Sequence, residues 1–185
     1  MNILLTDGEQ KHSLAALRSL RKNGHNVFVV SNYKYAICFF SKYIHKKIIT
    51  PKTLTQKQLF EQTKKIILKN NIDVFIPISY KSCLMASEFK KELKEITQVR
   101  VADKDKMKIA ANKSLSLSHA EKVGIPVPKK YKNANMVDNF PVVAKGIEDS
   151  GNVVYINSTE DLKNIDDDTY VIQEFIEGVG YGFYG

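Results

Sequence analysis

The chain has few cysteines and keeps them apart. Cys38 and Cys83 are its only two, with no CxxC and no Cys/His pairing, and His12, His25, His45 and His119 fall at no ligand spacing. A disulfide framework and a zinc site are excluded on that ground, and two lone thiols fit a reducing compartment. Long apolar runs are missing too. No stretch approaches the ~20 residues that a membrane helix needs. Residues 1–5 (MNILL) are too short for a signal peptide and lack its cleavage pattern. These absences point to a cytoplasmic protein with no membrane partner. Arginine is scarce: 25 lysines stand against 3 arginines within a net charge of +8. Nucleic-acid readers lean on arginine for bidentate contacts. Here the lysines scatter along helical faces, as at Lys64, Lys65 and Lys69 or Lys90, Lys91 and Lys94, which is the pattern of a solvated surface. No nucleic-acid partner is expected, while small anions such as nucleotides are attracted by the positive field. Repeats and low-complexity segments are absent as well, and no GxGxxG dinucleotide fingerprint follows the first strand.

What is present is a hydrophobic content of 43% over 185 residues, enough for one domain or two small ones. Asn2–Thr6 reads as a strand, Asp7-Gly8 as a turn, and Ser13–Leu20 as a helix with Leu14, Leu17 and Leu20 on one side and a stop at Gly24. Asn26–Ser31 is a second strand, so the first thirty residues form a βαβ unit and predict a parallel sheet with a right-handed crossover. The Thr6–Glu9 loop then lies at the carboxyl end of that sheet, where open α/β sheets bind ligands. Asp7 and Glu9 are read first as turn residues, with a ligand contact as the alternative. The aromatic run Tyr33–Tyr43 reads as core or packed loop. Lys47–Ile49, Asp73–Ile78 and Gln98–Val101 are further strands, separated by helices over Thr55–Asn70 and Ser82–Glu95. Residues 1–102 therefore form one Rossmann-like α/β domain.

The texture changes at Asp103. Two lysine-rich helices follow, Asp103–Ala111 and Lys113–Val123, and Gly124, Pro126 and Pro128 prevent continuation. Tyr131–Phe140 is a connector. Phe140-Pro-Val-Val-Ala-Lys145 is a short β-branched strand ending in a cation, followed by a polar loop from Gly146 to Asn152. A strand-end lysine beside a glycine-bearing loop suits a phosphate, because the backbone approaches closely and the ammonium is a point charge. Val153–Ile156 and Tyr170–Ile176 are two more strands, the second passing from apolar into acidic residues that can accept from a base amino group. Ser158 caps a short helix. Asp166-Asp167-Asp168 reads as a polar turn, since consecutive carboxylates point in different directions.

Three of these pieces together resemble the ATP-grasp superfamily, which includes D-alanine–D-alanine ligase, biotin carboxylase and the large subunit of carbamoyl phosphate synthetase. They are Asn112-Lys113 eleven residues before Gly124-Ile-Pro-Val-Pro128, then Phe140–Lys145, then Val171-Ile-Gln-Glu-Phe-Ile-Glu-Gly178. The texture is nearest to the carbamoyl-phosphate-synthetase-like members. The resemblance implies a pre-ATP-grasp domain over 1–102 and the first, incomplete α+β part of an ATP-grasp domain over 103–185. It implies an ATP-dependent ligase that activates a small-molecule carboxylate as an acyl phosphate for attack by an amine or other nucleophile. Phosphoryl transfer needs positioning and charge neutralisation more than side-chain nucleophiles, so no catalytic residue is assigned. By resemblance Lys113 and Lys145 hold the ATP phosphates and the Gly146–Gly151 loop covers them. Gln173 and Glu174 sit by the adenine amino group, and Phe175 and Ile176 supply backbone contacts and apolar walls. The family's domain before the grasp fold often lends loops such as Thr6–Glu9 to the substrate site.

Three features depart from the family pattern. The loop after Lys145 carries only Gly146 and Gly151, the position two past Gly178 is Gly180 rather than an acid, and magnesium ligands are expected beyond Gly185. The chain is thus expected to be a fragment that does not complete the reaction alone. A nucleotide-binding or regulatory module of the same fold is the alternative. An open sheet edge could itself pair copies into a homo-oligomer.

Overall fold

The computed structural model describes residues 1–52, 55–147 and 153–182. The chain divides into two compact units, Met1–Met107 and Lys108–Gly185.

The first unit is built on β1 (Asn2–Leu5), β2 (Asn26–Ser31), β3 (Lys46–Ile49), β4 (Val74–Ile76) and β5 (Gln98–Val99), in the order β3-β2-β1-β4-β5. Every neighbouring pair is parallel. Helices α1 (Lys11–Lys22), α2 (Gln56–Lys69), α3 (Tyr80–Glu88) and α4 (Lys90–Lys94) connect the strands. Both faces of the sheet are covered, which explains the unbroken apolar run of β1. Ile3 and Leu5 pack with Leu17, Val27 and Val29 on one face. Leu4 packs with Phe28, Phe60, Phe75 and Met85 on the other. Leu4, Leu5 and Leu17 are fully buried, each worth roughly 1.5–3 kcal/mol by transfer.

One expectation changes here. The single helix over Ser82–Glu95 is broken at Phe89, where the backbone leaves the helical region (φ −104°, ψ 28°). The Phe89 ring stacks on Phe60 with centroids 4.3 Å apart, a contact made with a residue 29 positions earlier. The aromatic run Tyr33–Tyr43 is a packed loop around a 3₁₀ turn over Ile37–Phe40: Ala36, Cys38 and Phe39 join the core beside Leu17, while Tyr33, Tyr35 and Phe40 are exposed.

The second unit carries α6 (Lys113–Lys122), preceded by α5 (Lys104–Ala111), which crosses the boundary between units. Its sheet holds β6 (Lys130–Tyr131), β7 (Val142–Gly146), β8 (Val153–Ile156) and β9 (Tyr170–Glu174), in the order β6-β9-β7-β8 with antiparallel pairing throughout. A short helix α7 (Thr159–Leu162) starts at Ser158, whose hydroxyl accepts from the Asp161 N–H. The expected connector Tyr131–Phe140 thus begins at the end of the edge strand β6 and holds a 3₁₀ turn over Ala134–Met136. One face of the sheet is core: Tyr131, Val142, Ala144, Ile156, Leu162 and Ile172 pack together. The triple aspartate is turn chemistry, with Asp166 accepting from the Asp168 N–H at 3.0 Å and Asp167 from the Ala134 N–H at 2.9 Å. Among the described residues no helix is long and apolar enough to cross a membrane.

Two substitutions test this architecture. A Cβ on Gly8 would lie 2.8 Å from Cγ1 of the fully buried Val29, so Gly8→Ala should cost about 1–3 kcal/mol in urea unfolding. Thr55 and Gln58 cap α2 reciprocally at 3.2 and 2.9 Å, and Thr55→Ala should cost about 0.5–2 kcal/mol.

Candidate functional site

Antiparallel partners point to the same side of a sheet, and residues alternate sides along each strand. Lys145 lies opposite Val153 on β8 and Val171 on β9, and Gln173 lies opposite Val143. Lys145, Val143, Val171, Gln173, Tyr155 and Lys130 therefore share the face away from the core, Lys130 because it pairs with Gln173. On this face Lys145 is half-buried, and none of the described residues bonds its ammonium. Gln173 is only 2% exposed, and its Nε2 has no partner among the described residues.

Helix α6 brings Lys113 to the end of β7. Asn112 caps the helix, its side chain accepting from the Leu115 N–H at 3.0 Å. The Lys113 ammonium donates to the Gly146 carbonyl, and the Lys113 N–H donates to the Ile147 carbonyl at 3.0 Å. Lys130 Nζ donates to the Ser114 hydroxyl. The first turn of α6 is thereby fastened to the sheet where Lys145 and Gly146 end β7. Lys113, Lys145 and Gly146 are brought together; Gly151 lies outside the described residues.

Glu174 departs from the expectation. It pairs with Val142 on the core side, one residue out of phase with Gln173. Its Oε1 accepts from the Lys129 N–H at 2.7 Å, and its own N–H donates to the Lys129 carbonyl at 2.9 Å. The carboxylate fastens the chain entering β6 instead of facing the amide of Gln173, because alternation sends adjacent side chains to opposite faces. Phe175 and Ile176 follow the strand and are exposed. The Phe175 ring meets Tyr155 edge-on at 6.0 Å, so the two form an aromatic wall beside the Gln173 face. Tyr155 and Lys130 were not anticipated. The alternation of Val153–Ile156 around its neighbour strand was the signal for the first; the second had none.

In the first unit the loop after β1 is fixed by Asp7, a non-glycine residue at φ +57°. Its carboxylate accepts from the Ser79 N–H and the Ser79 hydroxyl, each at 2.9 Å, and from the Thr6 hydroxyl. Both oxygens are engaged within the fold, so Asp7 joins the ends of β1 and β4. Glu9 is different. One of its oxygens accepts from the buried Ser31 hydroxyl at 2.6 Å, and the other has no partner among the described residues.

No family model and no curated protein matches the sequence. Solved structures do. The chain is similar to N5-carboxyaminoimidazole ribonucleotide synthetase from Thermotoga maritima (20% identity over 95% of this chain and 46% of that one, TM-score 0.69). It is similar to L-amino acid ligase from Bacillus licheniformis (13%, 96% and 44%, TM-score 0.72). It is also similar to the biotin carboxylase domain of Hydrogenobacter thermophilus 2-oxoglutarate carboxylase in complex with MgADP, ADP and bicarbonate (11%, 95% and 44%, TM-score 0.71). The chain spans less than half the length of each. At these identities the shared property is the fold, a partial ATP-grasp fold with its parallel and antiparallel sheets.

At the edge of the second sheet Asp138 receives Lys129 Nζ at 2.8 Å and the Tyr131 hydroxyl at 2.8 Å. The hydrogen bond from Lys129, then that from Tyr131, holds the Asp138 carboxyl below its usual range. Bonding to Asp138 raises both Lys129 and Tyr131 above theirs. The Asp138 contribution to stability is complete above the ordinary carboxyl value of 3.8 and is lost as pH falls through the lowered one. The Lys129 and Tyr131 contributions are complete below 10.5 and 10.0 and are lost as pH rises through the raised values. Urea unfolding of Asp138→Asn beside the unmodified chain should show a constant deficit between roughly pH 5 and 9 that vanishes at both extremes.

Proposed function

We propose that this chain, with its partial ATP-grasp fold, binds ATP on the Lys145 face of the second sheet and is the nucleotide-holding part of a carboxylate ligase. The observation that carries the reading is the Gln173 amide, buried on that face with its Nε2 unpartnered among the described residues. Leaving such a group unpaired costs about 1–3 kcal/mol, which a ligand that bonds it removes. A primary amide offers one donor end and one acceptor end, the pattern that matches the amino and ring nitrogens of adenine. Lys145 stands two residues along and one strand across from Gln173, about 8 Å by sheet spacings. That interval is comparable with the ribose that separates a base from its phosphates.

In this reading Lys145 and Lys113 hold the phosphates and the loop beginning at Gly146 covers them. Phe175 and Ile176 flank the base, and Glu174 contributes through its backbone only. Bound ATP would supply the phosphoryl group that activates a substrate carboxylate for attack by an amine or other nucleophile. The chain's own residues orient the nucleotide and neutralise its charge. The MgADP found in the 2-oxoglutarate carboxylase domain supports the choice of nucleotide. Among the described residues no group of three His, Cys, Asp or Glu side chains could hold a metal. Residues 1–102 correspond in this reading to the pre-ATP-grasp domain and 103–185 to the first part of the ATP-grasp domain.

Calorimetric titration with Mg-ATP, Mg-ADP and Mg-GTP tests the reading. Adenine nucleotides should bind in preference to GTP, and Lys145→Ala should weaken them about ten-fold or more. Gln173→Leu should erode the preference for adenine while leaving the unliganded chain as stable or stabler, because it removes an unpaired buried group. Absence of adenine preference, or full affinity in Lys145→Ala, would sink the proposal. Nucleotide binding without ligase turnover by the whole protein would favour a nucleotide-binding module.

A further inference from the structure

The sheet of the first unit ends in a strand with an open side, and nothing so far accounts for the surface around it. Strand β5 pairs with β4 alone. The Gln98 N–H donates to the Asp73 carbonyl at 2.9 Å, so Gln98 turns its backbone toward β4. Backbone groups alternate in direction along a strand, and Val99 therefore turns its N–H and C=O to the open edge. Side chains alternate as well. Val99 pairs with Phe75, and both enter one core. Gln98 pairs with Val74, which packs on the other face of the sheet. A hollow lies against the edge strand on each face. On the α4 side, Lys90, Lys94 and Thr97 line a shallow groove of about 670 Å³ that follows Gln98–Ala102. On the other side, Val74, Ile76, Pro77 and Arg100 line a smaller hollow of about 270 Å³.

The groove is positive and has polar capacity to spare. Lys90 and Lys94 stand one turn apart on α4 and so share one side of it. Asp103 engages Lys90 at 2.6 Å. Lys94 and Arg100 form no ion pair among the described residues, and no carboxylate lines the groove. The Thr97 hydroxyl is buried without a partner among the described residues. An inorganic anion would fill little of this space, since a water-sized molecule takes about 30 Å³. A second copy of the chain is disfavoured, because its net charge of +8 would meet a positive surface. The opposite edge strand, β3, carries Lys46 and Lys47 on the strand itself, a usual guard against edge pairing. The two residues of β5 are uncharged, and the cations stand beside the strand, where they select a partner without blocking the edge.

We propose that the open edge of β5 receives, as an added strand, an extended segment of another protein in which acidic and apolar residues alternate. Val99 exchanges backbone hydrogen bonds with that segment, and the two hollows take its alternate side chains. Its carboxylates meet Lys94 and Arg100, and its apolar side chains lie on Val74, Ile76 and Pro77. The proposal stands on the first unit alone and is independent of the nucleotide reading.

The test is fluorescence-anisotropy titration of the full chain with a labelled peptide of sequence EVEVEVE. Two controls accompany it: EEEEVVV, of equal composition, and EVEVEVE methylated at every backbone nitrogen. The alternating peptide should bind. Both controls should bind about ten-fold more weakly or worse, the first for want of alternation and the second for want of backbone donors. Lys94→Glu and Arg100→Glu should each weaken the peptide about five-fold or more. Lys57→Glu, the same charge change on exposed α2, should leave it unchanged, with circular dichroism confirming that all three variants are folded. Amide exchange read by NMR on the unmodified chain should show the Val99 N–H slowed about ten-fold or more by the peptide. No binding, equal binding of either control, or an unslowed Val99 amide would overturn the assignment. So would equal loss in Lys57→Glu, which would reduce the effect to net charge. Displacement of the peptide by excess inorganic phosphate at constant ionic strength would replace the docking edge with a small-anion site. A dimer in sedimentation velocity that Arg100→Glu abolishes would give the edge to a second copy and overturn the proposal equally.

Discussion

The second unit depends on β7 being paired along both edges. Val142, Val143, Ala144 and Lys145 each have a partner on β8 and another on β9. A strand held on two sides cannot slip by one residue without turning its apolar set out of the core. That constraint puts Val142 and Ala144 inward and Lys145 outward, and it carries Gln173 to the same side as Lys145 through the β9 register. The local arrangement of a cation and a buried amide is therefore a product of strand pairing, and the attachment of α6 through Lys113 and Lys130 adds to a position already decided.

The first unit reaches a similar result by a different device. Its sheet is parallel, so its strand ends converge at one edge and loops do the presenting. Those loops are joined by side chains: Asp7 to Ser79, Thr6 to the Ile78 N–H at 3.0 Å, Ser13 to the Thr6 carbonyl at 2.9 Å. A hydroxyl-and-carboxylate network of this kind stiffens the rim. In one unit strand register sets where the side chains stand, and in the other a loop is tied down by its neighbours.

Much of this was legible in the sequence. The strands Asn2–Thr6 and Asn26–Ser31 announced themselves by β-branched and apolar runs, and the strand at Phe140–Lys145 by the same signal with a cation at its end. Other features were not legible, for identifiable reasons. Gln173 and Glu174 are adjacent in sequence, and only the register shows that they serve opposite faces. The β6 strand is two residues long and pairs with residues more than forty positions later, so no local pattern marks it. The break at Phe89 answers to a ring on another helix. Asp7 looked like an ordinary turn residue because the partner that engages it, Ser79, is 72 positions away.

The tight approach of Gly8 to Val29 has an evolutionary corollary. The Gly8 N–H donates to the Val30 carbonyl and the Gly8 carbonyl accepts from the Cys38 N–H, both at 3.0 Å. The loop therefore cannot retreat from β2 to admit a larger residue. A lineage that acquires a side chain at position 8 must first shrink position 29, so the two sites should drift as a pair, with glycine at one recorded wherever a branched residue occupies the other.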